Sequence, residues 1–248
     1  MSLDLSNISW IRLLIYLVIS TFFLGNLSTY LKRKILWHDG YSRKLNHFGH
    51  MVISTPLLAF LPVNILIPTV FVGSILVILI YGLSSISKKR YIYGIVEGSL
   101  RERDNPRKRF FFFFPLITGN IALIFCVLNY PLDYVRIAFF TVAFADGFAE
   151  PVGLKFGANN KYKVKDYIWG GENKKSAAGS FIVFLFSFLI CFLFFLYLKE
   201  FSISILILSL IYGVLIFIVE AISPRGMDNM NIFIFSPLFL IFLDNFFV

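Results

Sequence analysis

Apolar and polar positions alternate in long blocks along this chain. Apolar runs of spanning length fall near 10–30, 48–61, 64–83, 110–129, 133–151, 179–198, 202–222 and 232–248. An α-helix rises about 1.5 Å per residue, so roughly 20 apolar residues cross the hydrocarbon core of a bilayer. The pattern predicts an all-α, polytopic bundle of about eight transmembrane helices, or seven, because the second and last runs are short. Short links such as Pro62-Val63-Asn64, Asn129-Tyr130-Pro131 and Lys199-Glu200 alternate with longer polar segments at 31–47, 84–109, 152–178 and 223–231. Pro and Gly mark most junctions. No internal repeat interrupts this order, and residues 1–248 read as a single integral membrane domain.

Composition strengthens the reading. Of 248 residues, 58% are hydrophobic, 19% aromatic and 15% charged, and mean hydropathy is +0.80. A water-soluble domain of this length could not hide so much apolar side chain in one core, whereas lipid solvates it. Phe supplies 31 residues, including the run Phe110 to Phe114, which suits lipid-facing or helix-packing surfaces. Cys126 and Cys191 lie inside apolar runs and read as small buried hydrophobes, not as a disulfide or a metal pair. The first run, from near Trp10, is too long for a signal-peptide core and lacks a small-residue cleavage site. It reads as the first membrane helix.

The net charge of +9 needs no nucleic-acid partner. Twenty of the 23 Lys and Arg fall in the four longer polar segments, leaving Arg12, Arg136 and Lys199 elsewhere. Eight spans put those four segments on one side. Lys and Arg accumulate in cytoplasmic loops, so that side is expected to be cytoplasmic, with both termini opposite.

A few polar residues are not explained by topology. Asp146 and Glu150 stand four apart near the end of the fifth run, on one helix face. Carboxylates at membrane depth normally face a polar cavity or a cation. The plainer alternative is pairing with interfacial lysines. Glu220, Asp228 and Asn229 repeat the theme at the same face, and carboxylate clusters of this kind suit Mg²⁺ together with phosphate oxygens and water. Gly153 and Gly157 follow at helical spacing. They could admit a phosphate or a backbone, and equally form a helix-packing face. In GGENKKSAAGS, residues 170–180, Lys174, Lys175 and Ser176 precede a helix start whose free amides favour an anion. The spacing is not that of a P-loop. Upstream, Arg43, Lys44, His47 and His50 share helix faces at the start of the second run. His47 could contact phosphate or relay a proton, and the His47–His50 pair gives only a weak zinc signal. The run 101–109, RERDNPRKR, reads as a solvated loop facing lipid headgroups.

Taken together the motifs have a familiar order. Asp146, Ala149, Gly153 and Gly157 give Asp-x-x-Ala-x-x-x-Gly-x-x-x-Gly, and Lys174, Lys175, Ser176 and Gly179 give Lys-Lys-Ser-x-x-Gly. This region resembles the CTP-binding region of dolichol, phytol and CTP-dependent diacylglycerol kinases and of the related phosphatidate cytidylyltransferases. Arg43-Lys44-x-x-His47 and the late Glu220 with Asp228-Asn229 are similar to motifs of the lipid-alcohol kinases in particular. The chain departs from the pattern at Ala178, where a Glu is usual, and in its longer 158–173 spacer, where Glu172 could replace the missing carboxylate. It also lacks a proline soon after Asp228-Asn229, the next being Pro237.

The resemblance implies a membrane kinase that uses CTP and Mg²⁺ to phosphorylate a lipid alcohol at the cytoplasmic face. By that likeness Asp146 and Glu150 hold the metal. Gly153, Gly157, Lys174, Lys175, Ser176, Gly179, Arg43 and Lys44 bind nucleotide. Glu220 or Asp228 orients or deprotonates the lipid hydroxyl, and His47 stabilises transferred charge. A cytidylyltransferase, an ion-coupled transporter and a non-catalytic nucleotide sensor are the alternatives.

Overall fold

The computed structural model describes residues 10–247, with the side chains of residues 10, 11 and 56–60 excepted. Val248, the end of the eighth expected run, lies outside the described residues. The long helices are α1 (Trp10–Lys34), α2 (Asp39–Phe60), α3 (Val63–Ile86), α5 (Lys108–Asn129), α8 (Ala177–Leu198), α9 (Ile203–Ile222) and α10 (Asp228–Phe247). A short helix, α4 (Arg90–Glu97), lies between α3 and α5. The fifth apolar run becomes two helices, α6 (Leu132–Thr141) and α7 (Gly147–Phe156), joined by a π-helical turn at Val142–Asp146. Two short strands, β1 (Lys161–Lys165) and β2 (Glu172–Ser176), precede α8. The expected polytopic bundle is therefore present, with one small hairpin added to it.

Among the described residues, seven helices are long and apolar enough to cross a membrane, counting Leu132–Phe156 as one span. The expected run at 48–61 is the second half of α2. At 22 residues α2 is about 33 Å long, but Asp39, Arg43, Lys44, Asn46, His47 and His50 make its first half polar. It stands outside the seven for that reason.

The chain forms two compact units, Met1–Ile117 and Thr118–Val248, which divide within α5. In the first unit α1 packs against α2, α3 and α4. The sequence reading left 84–109 as a polar segment, yet Ile95, Val96 and Leu100 are buried with Tyr81 in a hydrophobic cluster. Close backbone approach explains this. A Cβ on Gly25 of α1 would stand 2.7 Å from the Ile95 Cα, and one on Gly98 would stand 2.5 Å from the Thr29 amide nitrogen. Polar bonds finish the seam. The Thr29 hydroxyl donates to the Gly94 carbonyl at 2.5 Å and accepts from the Gly98 amide at 2.6 Å. Lys32 donates to the Leu100 carbonyl, and Arg33 pairs with Glu97.

The 101–109 run is not the fully solvated loop expected. Arg101 and Asp104 are both buried and pair at 2.9 Å, because a charge leaving water needs an opposite charge at hand. Most of the run is exposed, Glu102 included, and the Lys108 ammonium bonded to Glu102 holds its carboxyl below the usual range.

In the second unit α8 packs on α9 and α7, and α10 on α9 and α6. Ser176 caps α8 and Ser202 caps α9, each side chain accepting an amide three residues on, which offsets two of the donors a helix start leaves free. Cys126 and Cys191 are free and buried, as expected.

The glycine seam of the first unit gives a direct test. Gly25→Ala and Gly98→Ala should each destabilise the protein by about 1–3 kcal/mol through overpacking. Gly82→Ala, where an added Cβ meets nothing within 4 Å, should be neutral or slightly stabilising. Thermal unfolding in detergent separates the two groups.

Candidate functional site

Asp146 is the last residue of the π-helical turn and is buried, at 4% exposure. Such a turn holds one residue more than an α-helical turn, and turns of this kind concentrate at functional positions. Glu150 lies one turn later on α7, half-buried. Pro151 and the glycines that follow then carry α7 against the start of α8. A Cβ on Gly153 would stand 2.7 Å from the Ser176 hydroxyl oxygen, and one on Gly157 would stand 2.5 Å from the Ser176 Cβ. A Cβ on Gly179 would stand 2.8 Å from the Ala149 carbonyl oxygen. Of the two readings of the glycine spacing, this geometry is the packing one. Ser176 occupies the strip, and its side chain accepts the Gly179 amide at 3.1 Å.

The hairpin brings a lysine to the same place. β1 and β2 pair antiparallel with Lys163 opposite Lys174 and Tyr162 opposite Lys175. Alternate side chains of a strand point to opposite faces, so Lys174 and Lys175 diverge. Lys174 is exposed, while Lys175 is half-buried. The Lys175 ammonium donates to Glu220 Oε1 at 2.7 Å and also to the Glu220 carbonyl oxygen. It therefore serves both a carboxylate and the end of α9, where the helix leaves carbonyls without intrahelical partners. The paired-lysine clamp anticipated from Lys174-Lys175-Ser176 is divided between two faces.

The hairpin loop is fastened in turn. Asp166 accepts the Ile168 and Trp169 amides through Oδ1 and the Arg225 amide through Oδ2. The Trp169 indole donates to the Arg225 carbonyl at 2.9 Å. Asp166 and Trp169 thus hook the hairpin onto the α9–α10 turn, where Gly226 has a φ of 80°. Neither residue stood out in the sequence. The alternation in KYKVK, with Asp and Gly-Gly further on, was the available signal.

The Glu220 carboxylate feels the charges of Lys175, Asp228 and Asp146, with Lys175 alone shown in direct contact. Glu220 is 8% exposed, and its Oε2 is a buried oxygen with no hydrogen-bond partner among the described residues. Glu172 does not join this group. It is exposed and pairs with Lys163 at 2.6 Å, as strand alternation dictates. Among the described residues no three His, Cys, Asp or Glu side chains gather as a ready metal site. The expected three-carboxylate cluster has one member, Glu220, already engaged by an ammonium.

Arg43, Lys44 and His47 lie on α2 in the first unit, with Lys44 buried. Beside them His50 Nε2 meets the Tyr81 hydroxyl at 2.8 Å, Tyr81 donates to Asn46 at 3.1 Å, and Asn46 donates to Ser99 at 2.7 Å. This engagement of His50 supports a structural role over zinc. No family model, curated protein or solved structure matches the chain.

The buried ion pair has a defined consequence. Lys175→Met leaves Glu220 uncompensated and should destabilise by about 3–5 kcal/mol. The double variant Lys175→Met/Glu220→Gln should be less destabilised than the single one, a non-additivity measurable by denaturation in detergent.

Proposed function

We propose that the chain is a membrane-embedded kinase that transfers the γ-phosphoryl group of CTP to the hydroxyl of a lipid alcohol. The observation that carries the reading is Glu220, a buried carboxylate with one oxygen held by Lys175 and the other without a partner among the described residues. A carboxylate fixed in this way can accept a hydrogen bond from a hydroxyl and take its proton. The order of the sequence motifs supplies the nucleotide and the class of acceptor.

Phosphoryl transfer needs positioning and charge neutralisation more than covalent chemistry. Lys175 keeps Glu220 in place. Glu220 or Asp228 orients and deprotonates the acceptor hydroxyl. The exposed Lys174 and the amides at the start of α8 face the anionic nucleotide, and Ser176 shapes that start by closing against Gly153 and Gly157. The carboxylate oxygens of Asp146 and Glu150, one turn apart, fit a hard cation that takes one or two carboxylates. Bound there, Mg²⁺ would neutralise phosphate charge. The Lys and Arg excess of segments 84–109, 152–178 and 223–231, which share one side in the seven-span count, assigns the active face to the cytoplasm. The aliphatic chain of the acceptor then stays in the bilayer while its hydroxyl meets a soluble nucleotide.

The test is direct. Detergent-purified protein receives Mg²⁺ and CTP labelled on the γ-phosphate, with polyprenol, phytol-like and diacylglycerol acceptors. Label should enter lipid. Asp146→Asn and Glu220→Gln should each lower the rate by roughly 100-fold or more. Release of labelled pyrophosphate with a phosphatidate acceptor would instead identify a cytidylyltransferase. Absence of turnover with every acceptor defeats the proposal.

A further inference from the structure

The centre of the second unit holds a set of hydroxyls that the proposed chemistry does not use. Tyr212 of α9 is fully buried, and its hydroxyl meets the Thr141 hydroxyl of α6 at 3.0 Å and the Ser236 hydroxyl of α10 at 2.6 Å. Thr141 and Ser236 are also fully buried. Three helices are thereby joined through one phenol.

Several hydroxyls inside apolar helices of this chain stay on their own helix. Thr21 bonds the Leu17 carbonyl, Thr69 the Ile65 carbonyl and Ser209 the Ile205 carbonyl, each four residues back on its own helix. That is the usual outlet for a hydroxyl inside an apolar helix. Thr141 and Ser236 turn to Tyr212 instead.

Their positions relate them to the carboxylates. Thr141 immediately precedes the π-helical turn that ends at Asp146. On α9, Tyr212, Ile216 and Glu220 stand four apart on one buried face. On α10, Asp228, Ile232 and Ser236 repeat the spacing. Eight residues are about 12 Å of helix, so the hydroxyl layer lies two turns below Glu220 and Asp228 on the same helices.

The π-helical turn is the piece that needs holding. Such turns are rare and occur as single turns inserted in α-helices. Its extra residue rotates everything beyond it by about 100° relative to a regular helix. Beyond the turn, the contact of Gly153 and Gly157 with Ser176 fixes α7. Before it, the Thr141 hydroxyl is the side-chain tie.

We infer that Tyr212 is a positioning residue, which holds Thr141 and through it the π-helical turn that ends at Asp146. The catalytic consequence rests on the phosphoryl-transfer reading, whereas the structural one does not. Without the phenol hydroxyl, Thr141 can bond the Ile137 carbonyl of its own helix. The turn then loses its tie on that side.

The experiment compares the full chain with Tyr212→Phe by two readouts. In hydrogen–deuterium exchange, amides at 141–147 should exchange about 3- to 20-fold faster, the range set by a single intramembrane hydrogen bond. Peptides from α1 to α4 should be unchanged. In phosphoryl transfer, kcat should fall roughly 10- to 100-fold, the effect of misplacing a reacting group, with KM for CTP and lipid held within about twofold. Thr141→Val should reproduce both effects, Thr141→Ser should restore them, and the Tyr212→Phe/Thr141→Val double variant should be no worse than either single. The Thr141 pair carries the comparison if Tyr212→Phe fails to fold. Unchanged exchange at 141–147 overturns the inference, as does quickened exchange with unchanged kcat. If the wild-type protein transfers no phosphoryl group, the proposed function fails, and the exchange readout alone decides whether Tyr212 holds the turn.

Discussion

The ammonium of Lys175 reaches both the carboxylate of Glu220 and the carbonyl at the end of α9, and much of the second unit follows from that contact. An unpaired charge of either sign would be intolerable where these residues sit, so each fixes the other. For Lys175 to arrive there, β2 must enter α8 at a set angle. That in turn requires the hairpin loop to be fastened, which Asp166 and Trp169 do at Arg225. The strand ends at Ser176, whose hydroxyl oxygen caps α8 and whose bulk seats α7 through Gly153 and Gly157. Asp146 is placed by the same chain of contacts.

The first unit obeys a different constraint. It uses glycines to bring α4 against α1, and then satisfies the exposed backbone with side chains of α1. Thr29 and Lys32 take over carbonyls and an amide of the 94–100 stretch that helix geometry leaves unserved. Burial of Arg101 with Asp104 extends the arrangement. A stretch rich in Lys and Arg thereby acquires a packed, apolar inner face while its outer residues stay in contact with water.

Much of this was legible in the sequence. Apolar run length located the long helices, because bilayer thickness leaves little freedom in that length. Asp146, Glu220 and Asp228 stood out as acids at apolar boundaries, and the structure pairs one of them, Glu220, with Lys175. Other features were hidden for physical reasons. The π-helical turn inserts a residue without altering composition, so the fifth run read as one regular span. α4 is short and half polar, and its burial follows from the glycine contact with α1 and from packing on Tyr81 of α3. The divergence of Lys174 from Lys175 depends on a strand, and a lysine-rich segment between membrane helices reads more readily as a loop. Tyr212 lay in an apolar run where one hydroxyl carries no pattern, and its meaning came from the two partners it meets.

The hairpin has one more consequence. Both of its strands are edge strands, with backbone groups open to another chain. Lys161, Lys163, Lys165 and Lys174 are all exposed on it. Copies of a membrane protein are confined to a plane and meet far more often than they would in solution. Lys163 is paired with Glu172, but the remaining positive excess on so small a ribbon repels a second ribbon before the edges can pair. The hairpin thus discourages unwanted sheet growth at the membrane surface, and it does so with residues that face away from Glu220.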